Sequence, residues 1–116
     1  MRNGSVAAAA LFATTLIATM AQAEAQDSTF QTTRYLCERG VEVPVTYVNA
    51  PDLSLAVLNV EGTQITLEIE TSASGARYGW PSDGAHYIWW TKGETAFLMW
   101  SEGGEEKTIL DGCQQQ

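Results

Sequence analysis

The sequence predicts an all-β fold, a small antiparallel barrel of seven or eight strands running up and down. Three observations carry that reading. From Arg34 onward, stretches with apolar residues at every second position recur about every 8–12 residues. Clusters of Gly, Pro, Asn and Asp punctuate them at each interval. No stretch shows helical periodicity. A sandwich fits the same spacing, but sequential strands on short turns favour the barrel.

Each element has its own justification. Val41-Glu42-Val43-Pro44-Val45-Thr46-Tyr47 alternates as a half-buried strand, and Pro44, on its polar face, removes a ladder donor and so marks an edge or a bulge. Asn49-Ala50-Pro51-Asp52 is a turn cluster. Leu53 to Val60 is apolar on both faces, or carries a small bulge, and Glu61-Gly62 turns it. Ile65, Leu67 and Ile69 alternate with Thr66, Glu68 and Glu70, the cleanest strand in the chain. Ser72 to Gly79 reads as a small-residue loop ending at Tyr78, and Gly79 to Gly84 as a turn-rich excursion. His86 to Thr91 is an aromatic strand, Lys92-Gly93-Glu94 a tight turn and Thr95 to Trp100 another strand. Glu102-Gly103-Gly104-Glu105 turns again, and Lys107 to Leu110 forms the last strand, leading into Cys113.

The 116 residues divide into three parts. Residues 1–23 read as a secretory signal: Arg2 is their only charge, Val6 to Met20 is apolar, and Ala21-Gln22-Ala23 offers a small-x-small cleavage site, with Ala23-Glu24-Ala25 as an alternative. An apolar run of about 15 residues falls short of the roughly 20 that a spanning helix needs. No cysteine follows it, so lipid modification at the cleavage site is not available and the expected product is free and soluble, without a membrane anchor. Residues 24–33 are polar and aperiodic and read as a flexible lead. Residues 34–116 form the barrel domain.

Removing residues 1–23 leaves five bases against 14 acids, a net charge of −9. With no cluster of Lys or Arg to neutralise phosphates, nucleic acid is not an expected partner. A partner found through long-range charge is cationic. Cys37 and Cys113 allow only one intramolecular pairing, and closing that loop would stabilise so small a core by at most about 4–5 kcal/mol.

Catalysis finds little support. His86 is the only histidine, no nucleophile-elbow sequence surrounds any serine, and the acids stand singly without metal-ligand spacing. No cofactor or metal is expected. Four tryptophans are many for this length. In Tyr87-Ile88-Trp89-Trp90, neighbours face opposite sides of the sheet, so Tyr87 and Trp89 share a face while Trp90 packs outside, under a neighbouring loop. The competing reading makes the outer ring an exposed anchor for a protein partner. Ser72-Ala73-Ser74-Gly75-Ala76-Arg77-Tyr78 is the most unusual segment: small residues let its backbone approach another surface, and Gly75 is free to take positive φ. By composition alone it is also an ordinary connection, just as Lys92 is also an ordinary solvated lysine at a hairpin.

Together Tyr35-Leu36-Cys37, the Ser72–Tyr78 segment, Tyr87-Ile88-Trp89-Trp90-Thr91-Lys92-Gly93 and Cys113 resemble, in order, the marks of the bacterial inhibitors of C-type lysozyme, and the lack of a lipidatable cysteine resembles their periplasmic branch. The resemblance implies an eight-stranded barrel tied by a Cys37–Cys113 disulfide, no enzymatic activity, and a C-type lysozyme as partner. It implies that Ser74 and Lys92 enter the lysozyme cleft, with Gly75, Arg77, Tyr78 and Thr91 forming the rest of the binding segment. A serine hydroxyl suits a protonated glutamic acid and an ammonium suits an ionised aspartate, the pair that such a cleft holds. The Gly79–His86 excursion is longer than the family pattern and reads either as an extra contact surface around Trp80 or as a longer hairpin that alters how Ser74 and Lys92 are presented. A small-ligand-binding barrel of the cell envelope is the alternative. A homodimer is left open.

Overall fold

The computed structural model describes residues 4, 9–17, 27–81 and 84–116. The cleavage-site residues 21–23 and the Ser82-Asp83 pair lie outside them. Eight antiparallel strands follow one another around a closed barrel in sequence order. They are β1 (Thr29–Leu36), β2 (Glu42–Ala50), β3 (Leu53–Val60), β4 (Thr63–Glu70), β5 (Ala76–Gly79), β6 (His86–Lys92), β7 (Thr95–Glu102) and β8 (Glu105–Gln115).

Period-2 alternation builds the interior. Val43 and Val45 on β2, Ala56 and Leu58 on β3, and Ile65 and Leu67 on β4 point inward, together with Tyr78, Trp89, Ala96, Leu98 and Leu110. Trp89 is fully buried, and the Tyr35 ring meets it edge-on with centroids 5.1 Å apart. The polar ends of these rings satisfy one another. The Trp89 indole N–H donates to the Tyr47 hydroxyl at 2.9 Å, the Tyr35 and Tyr47 hydroxyls bond at 2.8 Å, and the Gln115 side-chain amide donates to Tyr35 at 3.3 Å. Burial, reinforced by the bond to Tyr35, raises the Tyr47 pKa far above the ordinary phenol value. These rings occupy the middle of the barrel interior.

Several boundaries differ from those the sequence suggested. Thr29–Thr33, expected as a loose lead, form the first part of β1, because the β-prone Phe30, Thr32 and Thr33 pair against β2 from Asn49 to Val45. Asn49 and Ala50 belong to β2, so the turn after it narrows to Pro51-Asp52. Pro44 is exposed within the β1–β2 ladder, and the β2–β3 ladder starts one residue later, at Val45. Its missing donor is tolerated at that local edge. Leu55–Val60 pairs with β4 without a bulge, and the irregularities fall on β8 instead, between the Ala96, Leu98 and Met99 registers of β7. A one-turn 3₁₀ element at Glu38–Gly40 is the departure from an all-strand domain.

Closure rests on a short seam. Strand β8 runs past the expected Leu110 to Gln115, and Gln114 and Gln115 pair with Leu36 and Tyr35. Next to that seam the Cys37–Cys113 disulfide joins the end of β1 to β8 across 76 residues of chain.

Tyr47→Phe is expected to leave the Trp89 N–H and the Tyr35 hydroxyl without their shared partner and to lower stability by about 1–3 kcal/mol. Urea unfolding followed by tryptophan fluorescence measures it, with an unchanged m-value as the sign that the fold is kept.

Candidate functional site

The up-and-down order places the β2–β3, β4–β5 and β6–β7 turns at one end of the barrel, with the start of β1 and the end of β8. Two of these turns carry the segments that stood out in the sequence. The β4–β5 connection contains Ser72–Gly75 and the β6–β7 turn follows Lys92. Pairing of β5 with β6 brings them together, with Ala76 opposite Thr91 and Arg77 opposite Trp90.

Gly75 is where the two segments touch. Its φ is +65°, and a Cβ there would lie 2.1 Å from the Thr91 carbonyl oxygen and 3.1 Å from Lys92 Cγ. Only glycine combines that conformation with so close an approach of backbone to backbone. The Thr91 hydroxyl donates to the Ala76 carbonyl at 3.3 Å, and the Thr95 hydroxyl donates to the Lys92 carbonyl at 2.9 Å. The loop and the turn are thereby held as one unit.

The two serines have different surroundings. The Ser72 hydroxyl donates to the Ser74 carbonyl at 2.7 Å and accepts from the Ser74 amide at 3.4 Å, bracing the loop from within. Ser74 is exposed, and its carbonyl also accepts the Trp90 indole N–H at 3.0 Å. Lys92 is exposed as well, its ammonium 4.9 Å from the centre of the Trp90 ring. The predicted alternation holds: Trp89 fills the interior, and Trp90 lies outside against the neighbouring loop.

Arg77 is not a free surface cation. Its guanidinium bonds Glu70 on β4 and Glu106 on β8, and its Cζ stands 4.9 Å from the Trp90 ring centre. The bond to Glu106, with that to Glu70 behind it, raises the Arg77 pKa, and Arg77 in turn holds the Glu106 carboxyl below the ordinary range. Gly79 completes the arrangement, since a Cβ there would fall 2.6 Å from a Glu70 carboxylate oxygen. Tyr78 faces the opposite way, buried in the barrel and packed on Tyr47 at 5.6 Å between ring centres. Of the six residues singled out in the sequence, Ser74, Gly75 and Lys92 thus share one exposed ridge with the half-buried Thr91, Arg77 underlies it in an ion-pair network, and Tyr78 belongs to the core.

Glu70, Glu106 and Phe97, whose ring is tilted against Trp90 with centres 5.7 Å apart, were not singled out as site residues in the sequence. The partnership of Glu70 with Arg77 follows from the β4–β5 register. That of Glu106, contributed by a distant strand, needs the folded barrel. His86 lies at the far end, its Nδ1 2.7 Å from the Gly84 carbonyl oxygen. Trp80, in the excursion beside it, is 47% exposed. Among the described residues no three His, Cys, Asp or Glu side chains gather as a metal would require.

Comparison with known proteins supplies a context for this ridge. A family model described as membrane-bound lysozyme inhibitor of C-type lysozyme matches residues 35–107. A protein of that name from Cupriavidus necator is 43% identical over 65 residues, covering 56% of this chain and 49% of its own. Its namesake from Pseudomonas aeruginosa is 40% identical over 83 residues, 71% of this chain and 62% of its own. The match therefore spans 49% and 62% of the length of these two curated relatives. Among solved structures, MliC of Pseudomonas aeruginosa in complex with hen egg white lysozyme superposes with a TM-score of 0.59 at 35% identity, over 78% of this chain and 86% of that one. PliC-St, the periplasmic lysozyme inhibitor of C-type lysozyme from Salmonella typhimurium, gives 0.62 at 28% identity, over 76% and 99%.

Gly75→Ala is expected to push the loop off Thr91 and to cost about 1–3 kcal/mol from the positive φ alone. Thermal unfolding reads the loss, and faster amide exchange at Ala76 and Thr91 locates it. A second expectation concerns acid. Because Arg77 lowers the Glu106 pKa in the folded state, this pairing stabilises the protein above the ordinary value of 4.5 and is lost as pH falls through the lower, folded-state value. Wild type should exceed Glu106→Gln in melting temperature at neutral pH, and the gap should close in acid.

Proposed function

This chain belongs to the family of membrane-bound lysozyme inhibitors of C-type lysozyme, and from that premise we propose that it inhibits a C-type lysozyme by seating the Ser74 loop and Lys92 in the active-site cleft. The observation that supports the reading is the close packing of Gly75 on Thr91 and Lys92, which joins the Ser74 loop to the Lys92 turn with both the Ser74 and Lys92 side chains exposed. In a cleft holding one protonated and one ionised carboxyl group, the hydroxyl bonds the first and the ammonium pairs with the second. Each contact contributes on the order of 1.5–3 kcal/mol, and occupation excludes the glycan, so inhibition is competitive.

The remaining residues act behind the ridge. Trp90 fixes the Ser74 carbonyl. Arg77 ties β5 to β4 and β8, and Tyr78 anchors the same strand in the core, so these two position the loop without touching the partner. A loop ordered before the encounter loses little entropy on binding. The acidic surface, at a formal −8 for the whole chain, attracts a basic enzyme and speeds the encounter at low salt. Residues 1–23 act as an export signal and place the product in the periplasm, where Cys37 and Cys113 oxidise. The protein is an inhibitor and performs no chemistry of its own.

Lysis of bacterial cell walls by a C-type lysozyme, titrated with the oxidised protein, tests the proposal. Near-stoichiometric loss of lysis is expected. The Ser74→Ala/Lys92→Ala pair should raise the inhibition constant by about two to four orders of magnitude while the far-UV spectrum stays unchanged. Undiminished inhibition by that double variant defeats the mechanism, and full lysis in the presence of folded wild type defeats the function.

A further inference from the structure

Strand β1 is paired along the whole of one side and at one end of the other. Among the described residues it matches β2 from Thr29 opposite Asn49 to Leu36 opposite Glu42, whereas on its other side it pairs only with β8, at Tyr35 and Leu36. The seam ends where the Gln116 amide donates to the Arg34 carbonyl at 3.0 Å. In a strand the N–H and C=O of one residue point to the same side, and successive residues alternate. Arg34 therefore sets the direction for the rest. Thr32 and Phe30 turn their N–H and C=O to the uncovered side, and Thr33, Gln31 and Thr29 turn theirs to β2.

The open edge is uncharged from Thr29 to Thr33, in a chain with 14 acids, and the Phe30 ring is 73% exposed. It has no lysine, proline or bulge, the devices that keep sheet edges from pairing. A hollow of about 380 Å³ lined by Gln31–Arg34, Gln115 and Gln116 lies alongside, in line with the end of β8. One further strand would continue the sheet there.

We propose that Thr29–Thr33 is a homodimer interface, in which β1 pairs antiparallel with β1 of a second copy about a two-fold axis at Gln31. The register argues for a second copy. Centring on Gln31 sets Phe30 opposite Thr32 of the other chain and Thr32 opposite its Phe30. Each is a pair of outward-facing residues that exchanges two hydrogen bonds, so every N–H and C=O that Phe30 and Thr32 turn outward is satisfied. The pairing stays within Thr29–Thr33, clear of Gln114–Gln116. No like charges meet, and each Phe30 ring lies beside the threonine opposite it, a favourable aromatic–β-branched pair. Interfaces of this kind are isologous and closed, so assembly stops at two.

Electrostatics gives the dimer a signature. Two copies of formal charge −8 repel through solvent while their uncharged edges attract, so salt strengthens the association. Binding to a cationic partner through the Ser74–Lys92 ridge responds to salt in the opposite sense.

Sedimentation equilibrium of the oxidised protein, from micromolar to near-millimolar concentration at low and high salt, tests the interface. A monomer–dimer equilibrium that tightens with salt is expected. Thr32→Pro removes an N–H that faces away from β2, so the β1–β2 ladder survives, and the dissociation constant should rise by roughly tenfold or more. Thr32→Lys, which keeps a strand-compatible backbone, should weaken the dimer likewise by placing a charge on the edge. A protein that is monomeric throughout, or a dimer that both variants leave intact, overturns the proposal.

Discussion

The structure is organised around the burial of one indole ring. A closed barrel of eight strands has room for side chains and little else, and Trp89, with Tyr35 edge-on to it, occupies the middle of that space. A buried indole N–H needs an acceptor, which the Tyr47 hydroxyl supplies while bonding Tyr35 in turn. Strand alternation then leaves Trp90 no choice of side. It must lie outside, where its N–H reaches the Ser74 carbonyl and its face lies beside the Arg77 and Lys92 cations. The exposed ridge is thus a consequence of how the interior is filled.

Two short segments become one surface through the pairing of β5 with β6. Strand β5 has only four residues, too few to be secure by its ladder alone. It is fastened from both faces, by Tyr78 in the core and by Arg77 outside, with its carboxylate partners on β4 and β8. The exposed parts of the ridge are small or single-charged side chains on a backbone that has little freedom left. Such a surface suits insertion into a narrow cleft better than spreading over a flat one.

Much of this was legible in the sequence because strand periodicity is a local property. The alternation in Val43–Tyr47 and Ile65–Leu67 marks the inward faces, although Ile69, which continues it, ends up exposed, and adjacent Trp89 and Trp90 had to divide between the two faces. The pairing of Cys37 with Cys113 followed from their number. What escaped was set by partners distant in sequence. Thr29–Thr33 lack an apolar rhythm because they are solvated on both faces, and only their ladder to β2 makes them a strand. The final residues of β8 carry no pattern, although they close the barrel. The ion pair of Arg77 with Glu106 was not legible, because a carboxylate 29 positions further along cannot be assigned to it without the fold. Tyr78 sat in a loop-like context that concealed its inward side chain.

The disulfide has a consequence for the order of events in folding. Cys37 follows the first strand and Cys113 lies in the eighth, so no covalent closure is available until all the strands between them have formed or emerged. The β1–β8 seam is paired at only two residues and would open readily without that bond. A chain delivered from its N-terminus therefore carries an unpartnered thiol, with a half-open sheet beside it, for almost the whole of its delivery. Oxidation works as a final latch: it lets an already assembled sheet persist and gives little help to one still being built.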